Sequence, residues 1–122
     1  MAKAILVADD DPDILSIVSM SLEAQGYTVH KATNGREAVD LTREHHPDLV
    51  LLDMMMPELS GYEAVSELKS DPGTRDIPIV GLSAKAMVTD MERATDAGID
   101  GYITKPFRIA QVVAAVEEYL QH

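Results

Sequence analysis

Residues 49–61 read LVLLDMMMPELSG. Four apolar residues, Leu49 to Leu52, run without a polar break into a single aspartate, Asp53, which is followed by three methionines and a proline. A short, wholly apolar run suits a strand covered on both faces, because such strands lose the alternation of half-exposed ones. Residues 4–8 (AILVA) and 78–82 (PIVGL) have the same character. Between these runs lie segments with helical spacing: Ile14, Ile17, Val18 and Leu22; Ala38, Leu41 and His45; Ala64, Val65 and Leu68; Met87, Met91 and Ala94. The clearest stripe is the last, Ile109, Val112, Val113, Val116 and Leu120. Asp11-Pro12 reads as a helix cap with proline at the first helical position, Gly26 and Gly98 stand where helices should end, and Pro47 closes another. The order is strand then helix, five times, with strands near 4–8, 27–32, 49–52, 78–82 and 100–104. Right-handed crossovers then predict a doubly wound α/β fold, a parallel sheet with helices on both faces.

Composition narrows the function. The 122 residues, 46% of them hydrophobic, fit one domain spanning 1–122, without repeat, linker or low-complexity segment. DPGTRDIP at 71–78 reads as a long turn. Lys+Arg 10 against Asp+Glu 21 gives a formal charge of -11, which disfavours nucleic acid and anionic membranes and favours cations. With no cysteine, thiolate metal sites and thiol nucleophiles are excluded. The five apolar residues between Lys3 and Asp9 are too few for a signal peptide, and no run approaches membrane-spanning length. A cytoplasmic protein is expected.

The polar residues that follow the strands gather the chemistry. In open α/β sheets, ligands bind beyond the carboxyl ends of the strands, between strands 1 and 3 when the order is 2-1-3-4-5. Here strand 1 runs into Asp9, Asp10 and Asp11, strand 3 into Asp53, strand 4 into Ser83 and strand 5 into Lys105. Carboxylates brought close together repel, and a hard divalent cation with oxygen ligands, Mg²⁺ above all, holds such a cluster ionised. Lys105 and Ser83 supply charge and a hydroxyl donor for phosphoryl oxygens, and an aspartate can accept the group covalently.

Each piece also has a plainer reading. Asp11 serves as a helix cap and Asp13 as a first-turn acid favoured by the helix dipole. Asp9 and Asp10 alone could be loop carboxylates, and Lys105-Pro106 alone is weak. The convergence of acid, acid, hydroxyl and ammonium at successive strand ends outweighs these readings. Met54 to Met56 could suggest a soft-metal site, but no second cluster of ligands supports one, and thioethers readily fill irregular space. His45-His46 before Pro47 reads as a capped or exposed helix end, and His30 and His122 carry nothing specific.

Four segments together resemble the receiver domain of two-component response regulators, in its single-domain, chemotaxis-regulator-like form: ILVADDDPDIL at 5–15, LVLLDMMMPELSGYE at 49–63, PIVGLSAKA at 78–86 and GYITKPF at 101–107. The resemblance covers the whole chain and implies a flavodoxin-like (βα)5 fold of strand order 2-1-3-4-5. It implies that Asp53 takes a phosphoryl group from a histidine kinase or histidine phosphotransfer protein, and that a downstream protein reads the result. It further implies that Asp10 and Asp53 ligate Mg²⁺ directly, Asp9 through a bound water, and Met55 by its backbone carbonyl. Ser83 and Lys105 would hold phosphoryl oxygens, and Tyr102 would turn inward as Ser83 is drawn to the phosphate. The output face would comprise the fourth predicted helix, the fifth strand and the fifth helix. Such a protein is no enzyme beyond its own phosphorylation and dephosphorylation.

Departures from the commoner pattern are small. Ala8 replaces a bulkier aliphatic residue, and Ser83 stands where threonine is as common. Met55 and Lys85 flank the path of a hydrolytic water and neither is suited to position it, so a long-lived phosphoaspartate is expected. Met54 is expected to present its backbone N–H to the phosphoryl group, while Met56 and Pro57 shape the exit loop. A free-standing regulator and a receiver excised from a larger protein both fit. A Mg²⁺-dependent phosphatase with an aspartate nucleophile is the competitor from another class, but it would want a second acid near Asp53, where Met54 and Met55 stand, and a cap domain. A degenerate receiver used only for binding is disfavoured by five intact site residues.

Overall fold

In the computed structural model, which describes residues 2–56, 58–83 and 98–120, β1 (Ala4–Ala8) leads through α1 (Pro12–Ala24) to β2 (Thr28–Ala32) and through α2 (Gly35–His45) to β3 (Leu49–Asp53). There follow α3 (Gly61–Ser70), β4 (Ile79–Ser83), β5 (Gly101–Thr104) and the C-terminal helix α4 (Ile109–Leu120). The strands form one parallel sheet in the order β2-β1-β3-β4-β5, the flavodoxin-like winding expected. Residues 84–97, which carry the predicted helix of Met87, Met91 and Ala94, lie outside the described residues.

Strand alternation divides the core between the two faces. Leu6, Ala8, Val50 and Leu52 pack with Ala38 and Val39 of α2 and Ala64, Val65 and Leu68 of α3. Ile5, Val7, Leu49 and Leu51 pack with Leu15, Val18 and Leu22 of α1 and Val112, Val116 and Leu120 of α4. β1 and β3 are buried on both faces, which is why they read as unbroken apolar runs. β4 begins at Ile79 rather than Pro78: proline has no N–H for the ladder, and Pro78 contributes only its carbonyl, which accepts from Val50 N at 3.0 Å.

Two helices keep most of the expected stripe, with Ile14, Val18 and Leu22 and with Ala38 and Leu41 against the core, and depart from it at Ile17 and His45. In α1 the buried residues are Leu15, Val18, Ser19 and Leu22, whereas Ile17 is 54% exposed. In α2 they are Gly35, Ala38, Val39 and Thr42; Leu41 is half-buried and His45 is exposed. The reason is local in α2: Thr42 Oγ1 donates to the Ala38 carbonyl at 2.6 Å, so a polar residue can face inward with its donor satisfied. In α1, apolar residues lie on more than one side, and packing selects among them. The His45 ring stacks on His30 of β2 with centroids 4.1 Å apart, and His46 adopts the left-handed conformation that ends α2.

Helix starts follow their caps. Asp11 accepts from Asp13 N and Ile14 N, Asn34 accepts from Glu37 N, and Ser60 with Glu63 forms a reciprocal capping box at α3. α1, α2 and α3 therefore each begin at a defined point.

Candidate functional site

β1 and β3 are neighbours, with Ala8 opposite Leu52, so their carboxyl ends deliver Asp9 and Asp53 side by side. Asp9 is fully buried and Asp53 is 4% exposed, while Asp10 is exposed. Ligand oxygens of these three carboxylates lie within 4.8 Å of one another. Asp9 is held on both sides: its N–H donates to the Ala32 carbonyl at 3.1 Å, and its Oδ1 accepts from Asp11 N at 2.9 Å. The fixed turn places Asp11 to cap α1, so the plain reading of Asp11 is the observed one.

Lys105 follows β5 and enters from the far side of β4. Its Nζ donates to Asp9 Oδ2 at 2.9 Å and to Asp53 Oδ2 at 3.2 Å. The following Lys105-Pro106 peptide is cis, and Lys105 N donates to the Ser83 carbonyl, tying the ends of β4 and β5 together. Ser83 is half-buried at the end of β4, opposite Thr104. Tyr102 is half-buried, opposite Gly81, and strand alternation puts it on the face away from Ile103, which packs against the α1–α4 side. Lys85 and Pro57 lie outside the described residues.

The three methionines separate by environment. Met54 and Met56 are buried in the core, and Met55 is 70% exposed. The expectation for the Met54 N–H is corrected: it donates to the Leu82 carbonyl at 3.0 Å, extending the β3–β4 ladder, and is not turned toward the acidic site. The amide facing the aspartate belongs to Met55, whose N–H donates to Asp53 Oδ1 at 2.9 Å.

The electrostatics follow from this packing. Burial raises the Asp53 pKa to about 6; the Met55 amide opposes the rise, the Asp9 charge adds to it, and Lys105 opposes it. Burial works against the Lys105 ammonium, but the hydrogen bond to Asp9 and the charges of Asp53 and Asp9 outweigh it and hold its pKa above the ordinary value. Three carboxylates face one ammonium, so the cluster carries excess negative charge suited to a hard cation.

A parallel sheet wound in this order, with acids at the switch point and a lysine reaching them from the last strand, is the arrangement that the resemblance to receiver domains implies. The chain belongs to the response regulator receiver domain family, whose model matches residues 5–117. It is 38% identical over 120 residues to the polar-differentiation response regulator DivK of Brucella ovis, covering 98% of each chain. Among solved structures it is similar to the signal receiver domain of a signal transduction histidine kinase from Syntrophus aciditrophicus, with TM-score 0.91 and 34% identity over 98% of this chain and 91% of that one. It is also similar to the receiver domain of the sensor histidine kinase PA1611 from Pseudomonas aeruginosa PAO1, described with a magnesium ion coordinated in the active-site cleft, with TM-score 0.92 and 29% identity over the full length of both. The chain is thus a phosphorylatable signalling switch of a two-component system. Among the described residues no helix is long and apolar enough to cross a membrane.

Sequence reasoning missed what fixes the site from behind: the Ala32 carbonyl on the Asp9 amide, the capping box at Ser60, and the close approach of α2 to Leu59. Only the capping box has a sequence signal, serine followed three residues later by glutamate.

Proposed function

We propose that Asp53 is the phosphoacceptor and that the phosphodonor is the phosphohistidine of a sensor kinase or histidine phosphotransfer protein. The observation that carries this is the position of Asp53: nearly buried at the end of the central strand, beside two further acids, with Lys105 Nζ 3.2 Å from its Oδ2. An Asp53 carboxylate oxygen attacks phosphorus, the P–N bond breaks, and its electron pair returns to the imidazole nitrogen. Such transfer needs mainly positioning and charge stabilisation. Lys105 stands where it can accompany the incoming charge, and Ser83, at the neighbouring strand end, offers a hydroxyl to another phosphoryl oxygen.

The donor set fits Mg²⁺. Carboxylate oxygens of Asp9, Asp10 and Asp53 within 4.8 Å of one another are the hard oxygen donors that this cation takes. In this reading Asp10 and Asp53 bind the metal directly, Asp9 acts through a bound water, and Met55 adds its carbonyl. The ion would supply positive charge against the repulsion between the acceptor carboxylate and the incoming phosphoryl group. Full burial of Asp9 and its engagement by Asp11 N and Lys105 suit an indirect role, whereas Asp10 is open to solvent. Attachment of the phosphoryl group adds about -1.5 to -2 charge, enough to draw Ser83 and re-seat Tyr102. The output surface then includes β5 and α4, read by a downstream protein. Chemistry of this kind is confined to the protein's own phosphorylation and dephosphorylation, and a cytoplasmic site of action follows from the nature of the donor.

Incubation with a small-molecule phosphodonor and Mg²⁺ should place one phosphoryl group per chain on Asp53, with little turnover of other phosphate esters. Label that persists in Asp53→Asn would overturn the assignment.

A further inference from the structure

The end of β2 touches Asp9, and the start of α2 touches the connection that follows Asp53. Ala32, which ends β2, accepts the Asp9 N–H at 3.1 Å. Three residues on, Gly35 is buried in the first turn of α2 and lies against Leu59. A Cβ on Gly35 would stand 1.8 Å from the Leu59 carbonyl oxygen, 2.7 Å from its carbonyl carbon and 2.9 Å from its Cβ. Two of these are backbone atoms, so either α2 or the chain at Leu59 would have to move.

Leu59 belongs to the connection from Asp53 to α3, and the described residues at its two ends are tied. At its far end Ser60 is pinned by the capping box with Glu63. At its near end the Met54 carbonyl accepts from Gly61 N at 3.2 Å, and a Cβ on Gly61 would stand 2.4 Å from Met54 Cα and 2.7 Å from the Asp53 carbonyl oxygen. Between these ends lies Met55, whose N–H holds Asp53 Oδ1. A push at Leu59 is therefore passed through Ser60 to Gly61, which is seated on Met54, and so to Met55.

We propose that Gly35 is a positioning residue: by letting α2 seat directly on the Leu59 carbonyl, it sets Met55 beside Asp53 and, through Met55, the affinity for magnesium. The magnesium part rests on the function proposed above. Helix formation gives no reason for glycine here, since alanine is the better helix former. By helix propensity alone Gly35→Ala would stabilise the protein, so the contact predicts the opposite sign.

The test compares the full-length wild type with Gly35→Ala and with Gly73→Ala, whose Cβ would make only an ordinary contact of 3.4 Å with Asp71 Oδ1. Mg²⁺ affinity is measured by calorimetry, and the Met55 amide resonance is followed in metal-free protein. Gly35→Ala should weaken Mg²⁺ on the order of tenfold, the size expected when a residue supporting a metal ligand is disturbed, and should shift the Met55 resonance. Gly73→Ala should do neither. A folded Gly35→Ala with wild-type affinity and an unmoved Met55 resonance overturns the proposal, even if its melting temperature falls. If Gly35→Ala does not fold, Leu59→Ala decides, because it loosens the same connection from its packed side: weaker Mg²⁺ and a shifted Met55 support the proposal, and no change in either overturns it. If the wild type itself binds no Mg²⁺, the magnesium reading fails separately, and the metal-free Met55 shift alone decides whether Gly35 positions it.

Discussion

The ammonium of Lys105 crosses above β4 to reach Asp53, lying 3.2 Å from its Oδ2 and 2.9 Å from Asp9 Oδ2. One cation thus serves two nearly buried carboxylates from strands on the far side of an intervening strand. Without it, two like charges would share a poorly solvated site. Replacing it should therefore act in opposite directions on metal binding and on phosphoryl transfer.

Lys105→Ala removes a charge that competes with any cation for Asp9 and Asp53. Mg²⁺ should bind ~10-fold tighter or more, since a unit charge a few ångströms from a dication is worth several kcal/mol at an effective dielectric near 20. Phosphorylation should slow by roughly a hundredfold, as on loss of one preorganised charge stabiliser. Calorimetry and rates of phosphodonor labelling check the pair; weaker Mg²⁺ binding in this variant would contradict the electrostatic reading.

Asp53 makes metal-free stability depend on pH. Its pKa in the folded protein, about 6, lies above the ordinary 3.8, so the folded state holds this proton more tightly than the unfolded one. The group costs nothing below pH 3.8, costs progressively more as pH rises to about 6, and costs a constant amount above that. The loss by neutral pH is on the order of 1–3 kcal/mol. In denaturant titrations at pH 7 without metal, Asp53→Asn should be more stable than wild type by that order, and Mg²⁺ should stabilise only the wild type. A wild-type curve that rises between pH 4 and 6 because of this residue would refute the sign.

Met55 is the exposed side chain nearest the acceptor in sequence, 70% accessible, and it carries no group that could orient a water. The phosphoaspartate should accordingly persist for minutes or longer in purified protein with Mg²⁺. Met55→Asn, which introduces a water-binding amide, should shorten that lifetime by roughly tenfold. Decay followed after removal of excess phosphodonor measures both values, and rapid wild-type hydrolysis would refute the expectation.

Ser19 is fully buried in α1, and among the described residues its Oγ has no hydrogen-bond partner. A buried hydroxyl left unpaired costs free energy that an alanine methyl does not. Ser19→Ala should raise stability by about 1 kcal/mol, seen as a higher melting temperature with unchanged phosphorylation. A destabilised variant would mean that the hydroxyl is satisfied.

Much of this was legible from local pattern. The strands buried on both faces announced themselves as apolar runs, and the residues that end them, Asp9, Asp53, Ser83 and Lys105, followed from knowing that a parallel sheet collects its carboxyl ends at one edge. Asp11 was legible as a cap because proline follows it. The edges of the α1 and α2 stripes were not: Ile17 and Leu15 are equally apolar, and only the packing of α1 on Val7, Leu49 and α4 turned Leu15 inward. Thr42 and His45 illustrate the same point, since a threonine bonded to its own helix can be buried while a histidine stacks outside on a neighbouring strand.

The sequence by itself determined the alternation of strands and helices, the strand ends at which chemistry collects and the identity of the acidic and basic groups there, because these depend on periodicity and on residue type; the strand order came with the resemblance to receiver domains. Tertiary structure alone decided which amide faces Asp53. The peptide of Met54 is drawn into the ladder by Leu82, leaving that of Met55 for the carboxylate. It also decided how far Lys105 reaches and how closely Gly35 meets Leu59. These are distances between segments far apart in the chain, and they are set by packing that no local pattern encodes.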